Sequence, residues 1–254
     1  MYNVLKAEFL KLKRSRMLLL AAAASVLPPL VKFIQLSAGK VQTNSNWEYF
    51  LASKQEITVI CMLVACILAA SFVFNMEYQY KTASYVLTSG VSRVKVYFSK
   101  LLSIFAVIFL LFLLSGLFQV LFGYLAVKTA LPQALFIKLV KTTLIYVSAY
   151  FLLTTVIVLL GVFFKRFVLT SVVALGYIML VFPFHLKNNI FISPFMTPSA
   201  IAAKIYGTGN YILADGYYSN VSVNIAAAFA FLLVLSAASL IAGLFFYRKS
   251  DVNV

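Results

Sequence analysis

The chain has 254 residues, 63% of them hydrophobic and only 11% charged, against about 45–50% apolar and about 25% charged in a soluble globular domain. With a mean hydropathy of +1.01, that departure excludes a soluble enzyme, a disordered tail and a secreted disulfide scaffold. Lys plus Arg number 21 against 6 Asp plus Glu, a formal net charge of +15, and no compact basic domain exists to hold a nucleic acid. The excess is read as cytoplasmic loops facing anionic headgroups, with no nucleic-acid partner.

Residues 2–14 read as a short amphipathic helix. Tyr2, Leu5, Phe9 and Leu12 fall within about 80° on a helical wheel, with Lys6, Lys11, Lys13 and Arg14 outside that arc. The spacing suits a helix lying in the headgroup layer, against the plainer reading of a positive flank to the first crossing. That crossing is expected over 17–34 and is retained, since no small-residue cleavage site follows it. Ala21 to Ala24 and Ser25 let a neighbouring helix approach closely. Pro28 and Pro29 are expected to kink or end it. Residues 38–50 are polar and read as an exposed loop, closed by Trp47, Tyr49 and Phe50, which suit the membrane interface.

Further crossings are expected over 57–74, 101–127, 139–164, 167–184 and 221–247. The second has 18 residues without a charge, about 27 Å of helix and enough to span. Cys61 and Cys66, about 140° apart on it, read as free packing thiols. Lys165-Arg166 is a two-residue charged break. Residues 185–220 form a long aromatic connection. Its aromatic residues, among them Phe191, Phe195, Tyr206 and Tyr211, suit a belt on the outer headgroups.

Six crossings place both termini on one side. Thirteen of the 21 basic residues fall there: five up to Arg16, four over 75–100, Lys165, Arg166, Arg248 and Lys249. The other eight are Lys32, Lys40, Lys54, Lys128, Lys138, Lys141, Lys187 and Lys204. Every arginine is on the termini side, which is therefore read as cytoplasmic. The fold class is an all-α polytopic membrane protein with one domain, 1–254, because no soluble segment is long enough for its own core.

Chemistry-bearing patterns are sparse. The chain has no G-x-x-x-x-G-K-[ST], no H-E-x-x-H and a single histidine, His185, read as an interfacial residue. No catalytic, cofactor-binding or metal-ligating residue is nominated. All six acids, Glu8, Glu48, Glu56, Glu77, Asp215 and Asp251, are read in loops or at helix ends, which argues against ion coupling. The patterned stretch is 74–100, FNMEYQYKTASYVLTSGVSRVKVYFSK. An acid stands at the membrane edge, 82–87 suits a short helix, Gly90 breaks it, and a basic run follows.

This layout resembles the type-2 ABC exporter permeases, the six-crossing membrane subunits of ATP-driven exporters. The opening MYNVLKAEFLKLKRSRMLLL is similar to their interfacial elbow helix. Phe74, Glu77, Thr82, Leu87, Ser92-Arg93 and Lys100 fall on their signature, although Lys81 stands where a glycine is common. The short size and lysine-rich start look most like bacitracin-resistance and lantibiotic-immunity permeases, and so imply the plasma membrane of a Gram-positive bacterium. The resemblance implies an ATP-binding partner subunit that carries ATP and Mg, and a second permease subunit, identical or paralogous. It implies no enzymatic activity of the chain itself. It implies a coupling helix in the 75–100 loop, with Glu77, Tyr80, Lys81, Thr82, Tyr85, Val86, Arg93 and Lys95 at the ATPase contact. Glu77 is read either as a charge partner of the N-terminal helix or as a solvated edge acid. For 185–220 the resemblance implies re-entrant helices that close an outer gate, with Phe191, Phe195, Tyr206 and Tyr211 as gate or substrate contacts, against the aromatic belt. The cargo implied is an amphipathic peptide, an antibiotic or a lipid-like compound leaving the cytoplasm or membrane. A membrane-embedded lipid-modifying enzyme and a regulatory subunit without a transport path are the competing readings.

Overall fold

The computed structural model describes residues 2–13, 16–37, 47–52, 55–80, 82, 91–185 and 225–249. Among them are eight helices: α1 Tyr2–Lys13, α2 Arg16–Ser37, α3 Trp47–Ala52, α4 Gln55–Gln79, α5 Arg93–Val127, α6 Gln133–Phe164, α7 Phe167–His185 and α8 Ile225–Lys249. No strand occurs among the described residues. Four helical stretches are long and apolar enough to cross a membrane: Ile57–Gln79, Arg93–Val127, Gln133–Phe164 and Phe229–Lys249. Ala21–Ser37 and Phe167–Met179 are shorter apolar stretches. The chain is an all-helical polytopic membrane protein.

Helix α4 is the centre of the bundle. Ala65, Cys66, Ile67 and Ala70 are fully buried, and the helix packs against α2, α5, α6 and α7. It is apolar all round because it is surrounded on most sides. Helix α2 also lies along α5, and α8 lies along α6. The outward faces of α5 to α8 carry exposed apolar residues such as Leu110, Leu117, Leu144, Val172 and Ile241. In water such a surface would demand a partner; in a bilayer it is the ordinary lipid face.

Polar contacts tie the apolar helices together. Tyr150 Oη donates to the Val59 carbonyl at 3.0 Å. Thr155 and Ser239 share a hydrogen bond of 2.7 Å between α6 and α8. Asn75 donates to Thr170 Oγ1 at 3.3 Å between α4 and α7. Such bonds act as glue where lipid supplies no competing water. The free thiols Cys61 and Cys66 fill space.

The turns explain the boundaries. Lys128 and Lys165 adopt left-handed backbone, φ 58° and 52°, and each N–H closes the preceding helix on the carbonyl of Tyr124 or Gly161. A single left-handed residue ends each helix sharply, so α6 and α7 are separated only by Lys165 and Arg166.

Two sequence expectations are narrowed. Of a kink or an end at Pro28 and Pro29, the end does not occur, because the helix continues to Ser37. Proline removes an intrahelical donor, but membrane helices tolerate this where neighbouring helices cover the freed carbonyls, and α2 packs against both α4 and α5. The end of the 38–50 stretch is not an exposed interfacial loop. Trp47, Phe50 and Leu51 are buried with Leu139 in a second small core, and the Trp47 indole donates to the Thr129 carbonyl at 3.0 Å. The Trp47 ring occupies the place where a side chain on Gly123 would begin, so glycine there lets α3 press against α5.

Candidate functional site

At the end of the bundle that carries α1, three helices meet through charge. Glu8 and Lys11 lie one turn apart on α1, Glu77 lies near the end of α4, and Lys100 lies two turns into α5. Lys11 Nζ stands 2.7 Å from Glu8 Oε1 and 2.8 Å from Glu77 Oε1. Lys100 Nζ stands 3.2 Å from Glu77 Oε1 and 3.6 Å from Glu8 Oε2. Two carboxylates thus face two ammonium groups, and the cluster is neutral as a whole. That balance is what allows Glu8, Glu77 and Lys100 to be almost fully buried, since an unpaired buried charge is strongly unfavourable. Burial alone would lower the pKa of Lys11, but its hydrogen bonds to Glu77 and Glu8 and their charges outweigh this and raise it.

An aromatic layer adjoins the cluster. Phe74, Tyr97 and Tyr247 pack with ring centroids 5.9 Å, 5.8 Å and 5.6 Å apart, and the Lys100 ammonium lies 6.0 Å over the Phe74 ring. Tyr97 can lie against α8 because Gly243 has no side chain to meet its hydroxyl. Beyond the layer, Arg93 Nη1 donates to the Arg248 carbonyl at 2.6 Å, joining the start of α5 to the end of α8.

The expected partner-contact residues separate into three groups. Glu77 is buried against Lys11 and Lys100, so it braces helices and is not presented to solvent. Tyr80, Thr82 and Lys95 are exposed, and Arg93 is half-buried. Thr82 closes the end of α4, its N–H donating to the Glu77 carbonyl at 2.8 Å. Lys81, Tyr85 and Val86 lie outside the described residues, as do the nominated gate residues Phe191, Phe195, Tyr206 and Tyr211. Beside the buried, charge-neutral brace the described residues thus leave Tyr80, Thr82 and Lys95 exposed.

Of the two readings of Glu77, the structure has the charge pair with the N-terminal helix, through Lys11, and not the solvated edge acid. Lys100 was read in a loop and Glu8 in a loop or at a helix end; both are buried within helices and belong to the same cluster. The signal was present in the opposed signs of Glu8, Lys11, Glu77 and Lys100, but their proximity across α1, α4 and α5 is a property of the packing. Lys32 was placed near the outer end of the first crossing and counted on the side away from the termini. It is buried in α2, with its ammonium 3.4 Å from the Leu51 carbonyl. No group of three or more potential metal ligands occurs among the described residues.

Comparison with known proteins bears on the whole arrangement. Residues 4–181 match the model of a family described as ABC-2 family transporter protein. Over 126 residues the chain is 29% identical to the uncharacterized membrane protein YdbK of Bacillus subtilis (strain 168), a stretch that covers 50% of this chain and 50% of that protein. The chain therefore matches about half the length of that relative.

Proposed function

The chain belongs to the ABC-2 family of transporter proteins, and from that premise we propose that it is the membrane-spanning permease subunit of an ATP-driven exporter. The observation that carries the proposal is the family match from α1 through most of α7, which takes in the charge brace and the basic edge beside it. ATP and Mg reside on a separate ATP-binding subunit. A second permease subunit, identical or paralogous, completes the pair. Both termini and the 80–92 connection face the cytoplasm, following the bias of lysine and arginine.

The brace explains how force would travel. The 80–92 connection joins the end of α4 to the start of α5. Glu77 lies three residues before it and Lys100 eight residues beyond it, and both touch the α1 pair Glu8–Lys11. A push on that connection by a closing partner is resisted locally and passed to α4, the most enclosed helix. Tyr80, Lys81, Thr82, Tyr85, Val86, Arg93 and Lys95 form the contact, with Arg93 and Lys95 meeting acids on the partner. The cargo is an amphipathic peptide, an antibiotic or a lipid-like compound that leaves the cytoplasm or the membrane.

Purification of the tagged chain from its native cell in mild detergent, followed by mass spectrometry, tests the proposal. A roughly stoichiometric ATP-binding subunit is the expected companion. A preparation without one, repeated after direct extraction into nanodiscs, overturns it.

A further inference from the structure

The far end of the bundle holds a polar pocket that the transporter reading does not use. It lies between α4, α5 and α6, with Thr58, Ser115, Gln119, Thr142, Thr143 and Tyr146 in its wall and a volume of about 20 Å³. Ser115 lies 12 residues before the end of α5 and Thr142 is the tenth residue of α6, so the pocket sits roughly 15 Å below those helix ends. Thr143 spends its hydroxyl proton on the Leu139 carbonyl and keeps acceptor lone pairs, while the Thr142 hydroxyl lies at hydrogen-bond distance from the Lys138 and Leu139 carbonyls. Thr58 Oγ1 and Ser115 Oγ are buried and make no hydrogen bond to any described residue. Two buried hydroxyls left unsatisfied at one small cavity are unusual, because such groups nearly always find a partner.

The pocket is the back of a larger feature. Phe112, Gly116 and Thr143 line it and also line an apolar groove of about 300 Å³ between α5 and α6. The groove runs from Phe109 to Val120 along α5, about 16 Å of helix, and its wall is otherwise aliphatic and aromatic. Gly116 is the gap between the two: a side chain there would have only Thr143 Oγ1 near its first carbon, at 3.9 Å.

We propose that the α5–α6 groove and its polar pocket bind one long-chain alcohol, with the chain along the groove and its hydroxyl in the pocket. Size and charge select this ligand. A space of about 20 Å³ admits one water-sized group, so a hydroxyl enters while a phosphate or choline does not. No charged side chain lines the pocket, so an ionised headgroup would be left uncompensated. The ligand hydroxyl accepts from Ser115 or Thr58 and donates to a threonine lone pair. The site stands apart from the brace, and its failure would leave the permease reading intact.

The test uses the full chain in phosphatidylcholine nanodiscs, with a diazirine-bearing hexadecanol and the matching diazirine alkane as probes. The alcohol is expected to label peptides within 109–144, and excess unlabelled hexadecanol to compete. Ser115→Ala and Thr58→Val should each weaken labelling by the alcohol about fivefold to tenfold, the loss for one neutral hydrogen bond, and leave labelling by the alkane unchanged. Gly116→Phe should abolish labelling by both. Equal labelling by alcohol and alkane, with no response to Ser115→Ala or Thr58→Val, would overturn the proposal and leave the pocket as a water site behind an ordinary lipid groove. For a bound alcohol, faster ATP hydrolysis by the assembled transporter marks cargo, and no change marks a resident lipid.

Discussion

Glu77 is the residue on which the buried brace turns, because it alone contacts a lysine on each of two other helices. Replacing it with Gln leaves Lys100 buried, with Glu8 as its remaining carboxylate at 3.6 Å. Removing one member of a buried pair costs about 3–5 kcal/mol. We expect Glu77→Gln to fall at the lower end because Glu8 remains. Exposed Glu48 is the control, and Glu48→Gln should change stability by no more than about 0.5 kcal/mol. Thermal unfolding in detergent measures both, and equal melting temperatures would mean that the brace contributes nothing. The pH dependence follows from Lys11. Its pKa is raised above the ordinary 10.5, so its contribution is complete below that value and is lost as pH rises through the higher folded value. The stability difference between the wild type and Lys11→Met should therefore be constant across about pH 7–9 and should shrink above 10.5. Lys32 points the other way. With its ammonium 3.4 Å from one backbone carbonyl, a buried lysine is a poor source of stability. Lys32→Met should melt at or above the wild-type temperature in the same assay.

Among the helices, α3 is the one whose position depends most visibly on a single glycine. Trp47 is the only tryptophan, and its ring fills the place of a side chain at Gly123. Gly123→Val must push α3 away from α5. Overpacking of this kind costs about 1–3 kcal/mol and should shift Trp47 fluorescence to the red as water reaches the ring. Gly116→Ala on the same helix meets only ordinary contact and should leave the emission unchanged. Unchanged emission in Gly123→Val would contradict the packing. Helix α3 also marks where the sequence is hard to read. A six-residue helix after a polar stretch has too little periodicity to announce itself, and aromatic residues at a loop end suit an interface as well as a core. The long apolar helices were legible because uninterrupted runs in Ile57–Gln79 and Gln133–Phe164 admit few other structures. Their ends were less so: α5 begins at Arg93 and α6 at Gln133, well before their apolar runs, because a helix can extend past the hydrocarbon with polar residues.

At the scale of the whole molecule, composition alone established a helical membrane protein, and the elbow-like start with the 74–100 pattern pointed to the transporter family. The link from Glu77 to the N-terminal helix was one of two readings of that acid; what remained hidden was that Lys100 and Glu8 join it. Lys100 and Glu8 look like surface residues one at a time, and only the meeting of α1, α4 and α5 makes them a neutral buried unit. The pocket at Thr58, Ser115 and Thr142 was hidden for the same reason, since each hydroxyl is unremarkable on its own helix. In the proposed transporter the driving subunit docks at the α1 end, against the 80–92 connection. Arg93→Glu, or Tyr85→Ala with Val86→Ala, should lower coupled ATP hydrolysis or detach the partner while membrane insertion stays normal. Normal transport by both variants would remove these residues from the contact. The most direct measurement is site-specific photocrosslinking in native membranes, with a benzophenone amino acid at position 85 and, in a separate variant, at position 136 on the opposite end. A crosslink from position 85 to an ATP-binding protein, with none from position 136, is the predicted result. A crosslink to that protein from position 136, or none from position 85, would contradict the proposed contact.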